Sequence, residues 1–86
     1  MKKGRKEPSG KGLLRLSEAA RAAGVSAQTV EYYILLGLIE PVRQPGRRVR
    51  HFTAEHVRRI QLIRQLNASG YTLRAIRETY MRPRRD

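Results

Sequence analysis

The chain has 86 residues, enough for one small domain with no room for a second core. Nineteen Lys and Arg oppose seven Asp and Glu, a formal charge of +12; such an excess repels itself in the compact state and is explained by a polyanionic partner. With no cysteine, disulfides, cysteine-ligated metal and thiol chemistry are excluded. No apolar run approaches the roughly 18 residues of a spanning helix and no signal-peptide core stands near the N-terminus, so the expectation is a soluble cytoplasmic protein, nucleoid-associated, with no membrane partner.

Residues 1–12, MKKGRKEPSGKG, hold five basic residues, one acid, three Gly and one Pro. That composition cannot bury a core and reads as a disordered basic arm. From Leu13 the pattern changes. Ser17 precedes EAARAA, a run of good helix formers with an acid in the first turn, where the helix dipole favours it. Gly24 stops that helix. Ser26 caps the next, 27-AQTVEYYILL-36, which runs to Gly37. Two short helices joined through Gly24 and Val25 form a helix-turn-helix or an ordinary helical hairpin, which shape alone does not separate.

Two prolines and a glycine forbid a helix in 38-LIEPVRQPGRRVRHF-52. Leu38 and Ile39 at one end, and Val49 and Phe52 at the other, are expected to pair as two short strands around a basic loop of Arg43, Gln44, Arg47 and Arg48. On such a wing Val49 turns to the core, Arg48 and Arg50 share the opposite face, and Phe52 caps the interior. His51 and His56 read as surface or phosphate-contacting side chains rather than metal ligands.

Thr53 caps a third helix with Glu55 in its first turn. Val57, Ile60, Ile63 and Leu66 make its apolar stripe, broadened by Leu62. Thr72 caps a fourth, 73–81, carrying Leu73, Ile76 and Tyr80. Pro83 stops it, and residues 83–86 read as a frayed basic end. The fold class is therefore mostly α: a winged helix-turn-helix in the order helix, helix, wing, helix, helix, over residues 13–82.

The stretches 16-LSEAARAAGVSAQTVEYYILLGLIEP-41 and 48-RVRHFTAEHVRRIQLIRQLNASGYTLRAIRE-78 resemble the DNA-binding domain of the MerR family of transcription regulators. Four pieces carry the resemblance in order: Thr29-Val30-Glu31-Tyr32-Tyr33-Ile34, Gly37-Leu38-Ile39-Glu40-Pro41, Val49-Arg50-His51-Phe52, and Gly70-Tyr71-Thr72-Leu73-Arg74-Ala75-Ile76. The family pattern differs at three of these positions. Glu31 stands where the family usually has an arginine that meets DNA, Ile34 replaces an acid, and Val49 replaces a wing aromatic. Family members normally continue into a long dimerisation helix and an effector domain, for which the residues after Met81 leave no room. The expectation is therefore a monomer or weak dimer in isolation, which binds repeated sites cooperatively or head to tail, or through a partner protein.

A recognition helix presents its N-terminal residues to base edges. With Val30 and Ile34 buried, the outward set is Ser26, Ala27, Gln28, Glu31, Tyr32 and Leu35. Gln28 has the donor–acceptor pair for adenine, and Glu31 accepts from the cytosine amino group. A carboxylate near phosphates is repelled, so Glu31 has a second reading as partner of a wing arginine. The resemblance places Gln28 at a base contact and Tyr33 at a phosphate contact through its hydroxyl, and it matches Arg50 to the family's wing arginine. Tyr32 and Tyr33 also read as core-edge aromatics. Arg43, Arg47, Arg48, Arg50 and Arg15, with the N-terminal lysines, supply phosphate contacts, roughly 4–7 of them by the salt dependence expected.

The expected function is sequence-specific binding of double-stranded DNA by a MerR-type transcription regulator. Its rivals are an excisionase-like architectural accessory protein and a basic RNA-binding protein, the latter disfavoured by scarce stacking aromatics. No nucleophile–base pair, paired carboxylates, metal cluster or phosphate-cradling loop is visible, so neither an enzyme nor a cofactor is expected.

Overall fold

The computed structural model describes residues 12–46 and 48–80. Six elements follow in chain order: helix α1 (Leu16–Ala23), helix α2 (Ala27–Leu35), strands β1 (Val42–Arg43) and β2 (Arg50–His51), helix α3 (Ala54–Ala68) and helix α4 (Leu73–Tyr80). This is a winged helix-turn-helix. Most of the basic arm, residues 1–11, lies outside the described residues, as do Arg47, the Tyr80 side chain, and Met81 with the C-terminal end 82–86.

Capping chemistry sets the helix ends. The N-cap lies two residues before the expected Ser17: it is Arg15, α1 starts at Leu16, and the Glu18 carboxylate reaches back to accept the Arg15 N–H at 2.7 Å. That charge-assisted bond satisfies the Arg15 N–H at the start of the helix. At the other end Gly24 adopts φ +80°. The Val25 N–H then reaches the Ala20 carbonyl at 3.0 Å and the Gly24 N–H reaches Arg21 at 3.1 Å. This double bond pattern closes the helix and needs a left-handed residue, which glycine supplies without a Cβ penalty. Helices α2 and α3 close in the same way, through Leu38 to Tyr33 and through Tyr71 to Leu66. Ser26 caps α2 by accepting the Thr29 N–H at 3.1 Å, and Thr72 caps α4 by accepting from Ala75 at 3.0 Å.

The α3 cap is reciprocal. Thr53 Oγ1 accepts the His56 N–H at 3.2 Å, and His56 Nδ1 accepts the Thr53 N–H at 2.9 Å. His56 thus takes the place a glutamate or glutamine holds in a capping box. Its Nε2 donates to the Glu40 carbonyl at 2.9 Å, which fixes the neutral tautomer because Nδ1 is an acceptor. The expected surface or phosphate-contacting role gives way here: His56 pins the segment before β1 to the start of α3.

The core is one cluster of Ala19, Ala20, Ala23, Val30, Tyr33, Leu38, Ile39, Phe52, Ile60, Ile63 and Ile76. Helix α1 packs on both α2 and α3, and α4 packs on α3. Three alanines on α1 let α2 and α3 approach it closely. Phe52 is fully buried at the centre, in edge contact with the His56 ring at 5.8 Å between centroids.

The wing departs from expectation in three ways. Leu38 and Ile39 are not in a strand; they are buried in the core, and pairing starts only after Pro41. The ladder is antiparallel, with Val42 opposite His51 and Arg43 opposite Arg50. Val49 is 43% exposed rather than core-facing. It precedes the ladder, so strand alternation does not govern it. Leu62, expected to broaden the α3 stripe, is likewise exposed and lines a shallow hollow with Arg58, Gln61, Arg64 and Gln65. A further pairing had no signal in the pattern: Leu14 bridges Phe52 through two backbone bonds of 2.7 Å. This ties the chain entering α1 to the strand leaving the wing.

Candidate nucleic-acid interface

Helix α2 buries Val30 and Tyr33, holds Ala27 and Ile34 half-buried against the core, and turns Gln28, Glu31, Tyr32 and Leu35 outward. Ser26, Gln28, Thr29, Glu31, Tyr32 and Leu35 line one shallow hollow on that outward face. Ser26 and Gln28 are exposed, Ala27 is half-buried, and Tyr32 is half-exposed. Leu35 belongs to the expected outward set, whereas Thr29 was not expected there. Leu35 stands off the Val30–Ile34 stripe, and that spacing is the signal that marks it as outward.

One contact decides how this face sits relative to the wing. Arg50 Nη1 donates to Glu31 Oε1 at 3.0 Å, and Arg50 Nη2 to Glu31 Oε2 at 2.8 Å. The bidentate pair joins β2 to the outward face of α2, across 19 residues of sequence. Helix α2 and the hairpin therefore meet on the same side of the molecule. The hydrogen bonds from Arg50 hold the Glu31 carboxyl below the usual glutamate range; partial desolvation opposes this, and the charge of Arg50 adds to it. The guanidinium of Arg50 is correspondingly raised, chiefly by its bonds to Glu31. Of the two readings of Glu31, the geometry realises the pair with a wing arginine.

Arg43 lies directly across the ladder from Arg50, so the two side chains project from one face of the hairpin. Arg43 is exposed and borders a second hollow with Ile34, Gly37, Ile39, Glu40 and Pro41, at the C-terminal end of α2. Arg48 is exposed between the strands. Arg15 is exposed one residue after Leu14, where the bridge to Phe52 carries it beside the wing's return strand. Arg15, Arg43 and Arg48 enter no ion pair among the described residues, whereas Arg50 does. Arg47 lies outside the described residues.

Tyr33 is only 5% exposed, so its ring belongs to the core. Burial pushes its hydroxyl up, against a smaller downward pull from Arg64 of α3. Tyr32 points the other way and shares the hollow with Gln28 and Glu31. Among the described residues, no group of three or more His, Asp or Glu could hold a metal ion, and no helix is long and apolar enough to cross a membrane.

Chemically, this side offers exposed unpaired guanidiniums flanking a short helix whose first turns carry hydroxyl, amide and phenol groups. Guanidiniums suit phosphate oxygens, and the amide of Gln28 suits a base edge.

The sequence is similar to known proteins. Residues 14–81 match the family described as MerR HTH family regulatory protein. The HTH-type transcriptional regulator AdhR of Bacillus subtilis (strain 168) is 28% identical over 65 residues, which is 76% of this chain and 46% of that protein. The HTH-type transcriptional regulator CueR of Yersinia pestis is 28% identical over 65 residues, 76% of this chain and 47% of that protein. The mercuric resistance operon regulatory protein of Bacillus cereus is 32% identical over 62 residues, 72% and 47%. This chain spans about half the length of the curated relatives it matches. With its helices, wing and turn residues in the matched segment, the chain belongs to the MerR HTH family of regulatory proteins.

Proposed function

We propose that this chain binds double-stranded DNA in a sequence-specific way and regulates transcription as a MerR-type protein. The observation that carries the proposal is the Glu31–Arg50 pair, because it puts the outward face of α2 and the arginine hairpin on one side. A helix in the major groove with a cationic hairpin beside it needs that arrangement. On this reading Gln28 and its neighbours Ser26, Ala27 and Tyr32 meet base edges or the adjoining backbone. Arg43, Arg48 and Arg15 meet phosphates, and residues 13–82 form the DNA-binding unit. The names of the relatives, two HTH-type transcriptional regulators and an operon regulatory protein, support the same reading.

The test is selection of bound sites from a random duplex library at two salt concentrations. Enrichment of a defined motif is expected, with affinity falling steeply with salt at a slope of about −0.9 per phosphate contacted, for roughly 4–7 contacts. Affinity flat between low and moderate salt, or no motif above background, would reject the proposal.

A further inference from the structure

The two terminal nitrogens of Arg50 face the two oxygens of Glu31 at 3.0 and 2.8 Å. This fork-on-fork geometry is the one a guanidinium makes with a phosphate. The Glu31 carboxylate thus stands where a DNA phosphate would stand on Arg50. We infer that Glu31 is a built-in phosphate substitute: it keeps Arg50 out of the DNA contact and sets the affinity of the α2–wing face below what its arginines alone would give. The inference rests on the duplex-binding reading above.

Three features support it. First, among the described residues this is the one bidentate ion pair. Arg58–Glu55 at 3.4 Å and Arg74–Glu78 at 3.6 Å are longer single contacts within one helix. Second, the side chains of Arg50 and Glu31 are 27% and 45% exposed. The site is open to solvent, so a phosphate is kept off Arg50 by the carboxylate already there and not by a wall of protein. Third, Arg43 is the cross-strand partner of Arg50, and two like charges opposite one another destabilise a ladder. With Glu31 in place, the hairpin face carries one uncompensated guanidinium instead of two.

The consequence for DNA is a matter of counting charge. A closed Glu31–Arg50 pair is neutral and releases no counterion when the duplex docks. A freed Arg50 neutralises one more phosphate, and each such contact adds about 0.9 to the steepness of log K against log salt. The pair is partly exposed, so breaking it does not unfold the domain.

The experiment measures duplex affinity across a salt series on one selected site, for the wild type, Glu31→Gln, Glu31→Ala and the double variant Glu31→Gln/Arg50→Gln. A thermal melt of each reports folding. Both single variants are expected to bind about five- to tenfold tighter at about 0.1 M salt, with a slope steeper by about 0.9. The double variant should keep the wild-type slope, since neither protein then offers a free cation at this position. An unchanged or shallower slope in the folded single variants overturns the inference. So does a double variant whose slope is shallower than the wild type by about 0.9, because Arg50 would then already touch phosphate while Glu31 holds it. A wild type that binds no duplex sinks the functional reading itself. A wild type that binds, with single variants that do not tighten, sinks only the role of Glu31.

Discussion

Arg77 of α4 lies across Gly37, the residue that ends α2: a Cβ on Gly37 would stand 3.0 Å from the Arg77 Nε. Gly37 also has φ +82°, a conformation that side chains rarely adopt. The contact lets a helix remote from the wing cover the C-terminal end of α2, where a cation is favourable. Gly37→Ala is expected to cost about 1–2 kcal/mol, mostly from the left-handed backbone, since the flexible Arg77 can shift aside. Urea denaturation with an unchanged m-value checks this. A variant as stable as the wild type would show that the turn re-forms without strain.

His56 joins the α3 cap to the Glu40 carbonyl. His56→Ala is expected to lose about 1–2 kcal/mol, the range for a lost cap. His56→Gln retains the reach back to the Thr53 N–H and should recover part of that loss. Equal stability of the two variants would assign the whole effect to the Glu40 link. The readout is the denaturation midpoint.

On DNA, Gln28 and Arg50 should fail in different ways. Gln28→Ala is expected to relax preference at one base position by about 1–3 kcal/mol, leaving others intact. Arg50→Ala is expected to weaken all duplexes about equally, because it leaves the Glu31 carboxylate unpaired toward the phosphates. Gel shifts on the selected site and on single-base variants separate the two patterns. Loss of base preference on removing Arg50, or uniform weakening on removing Gln28, would reverse the assignment of the two elements.

The ion pair also predicts a pH dependence. Because Glu31 titrates lower in the fold than its ordinary value, its contribution to stability is present above the ordinary glutamate range and is lost as pH falls through the folded value. The stability difference between the wild type and Glu31→Gln should therefore exist near neutral pH and vanish in acid. Denaturation midpoints of both proteins over a pH series measure it. A gap that widens in acid would contradict the pairing.

Much of this protein is readable from its residues. Gly24 and Gly37 end helices because only a left-handed residue closes those turns, and Ser26, Thr53 and Thr72 start helices because their hydroxyls satisfy free N–H groups. These are local causes, acting within four or five residues. The basic hairpin after Pro41 and the family resemblance through the Gly37–Pro41 exit are local in the same sense. What only the tertiary structure decided are the relationships between distant segments. A ladder of two residue pairs is too short for alternation to set its register, so Val49 faces solvent and Leu38 and Ile39 join the core instead. The bridge from Leu14 to Phe52, and the choice of Arg50 over the other wing arginines as partner of Glu31, depend on how α1, α2 and the wing dock. Sequence spacing carries no record of that, because burial, not chain proximity, brings those groups together.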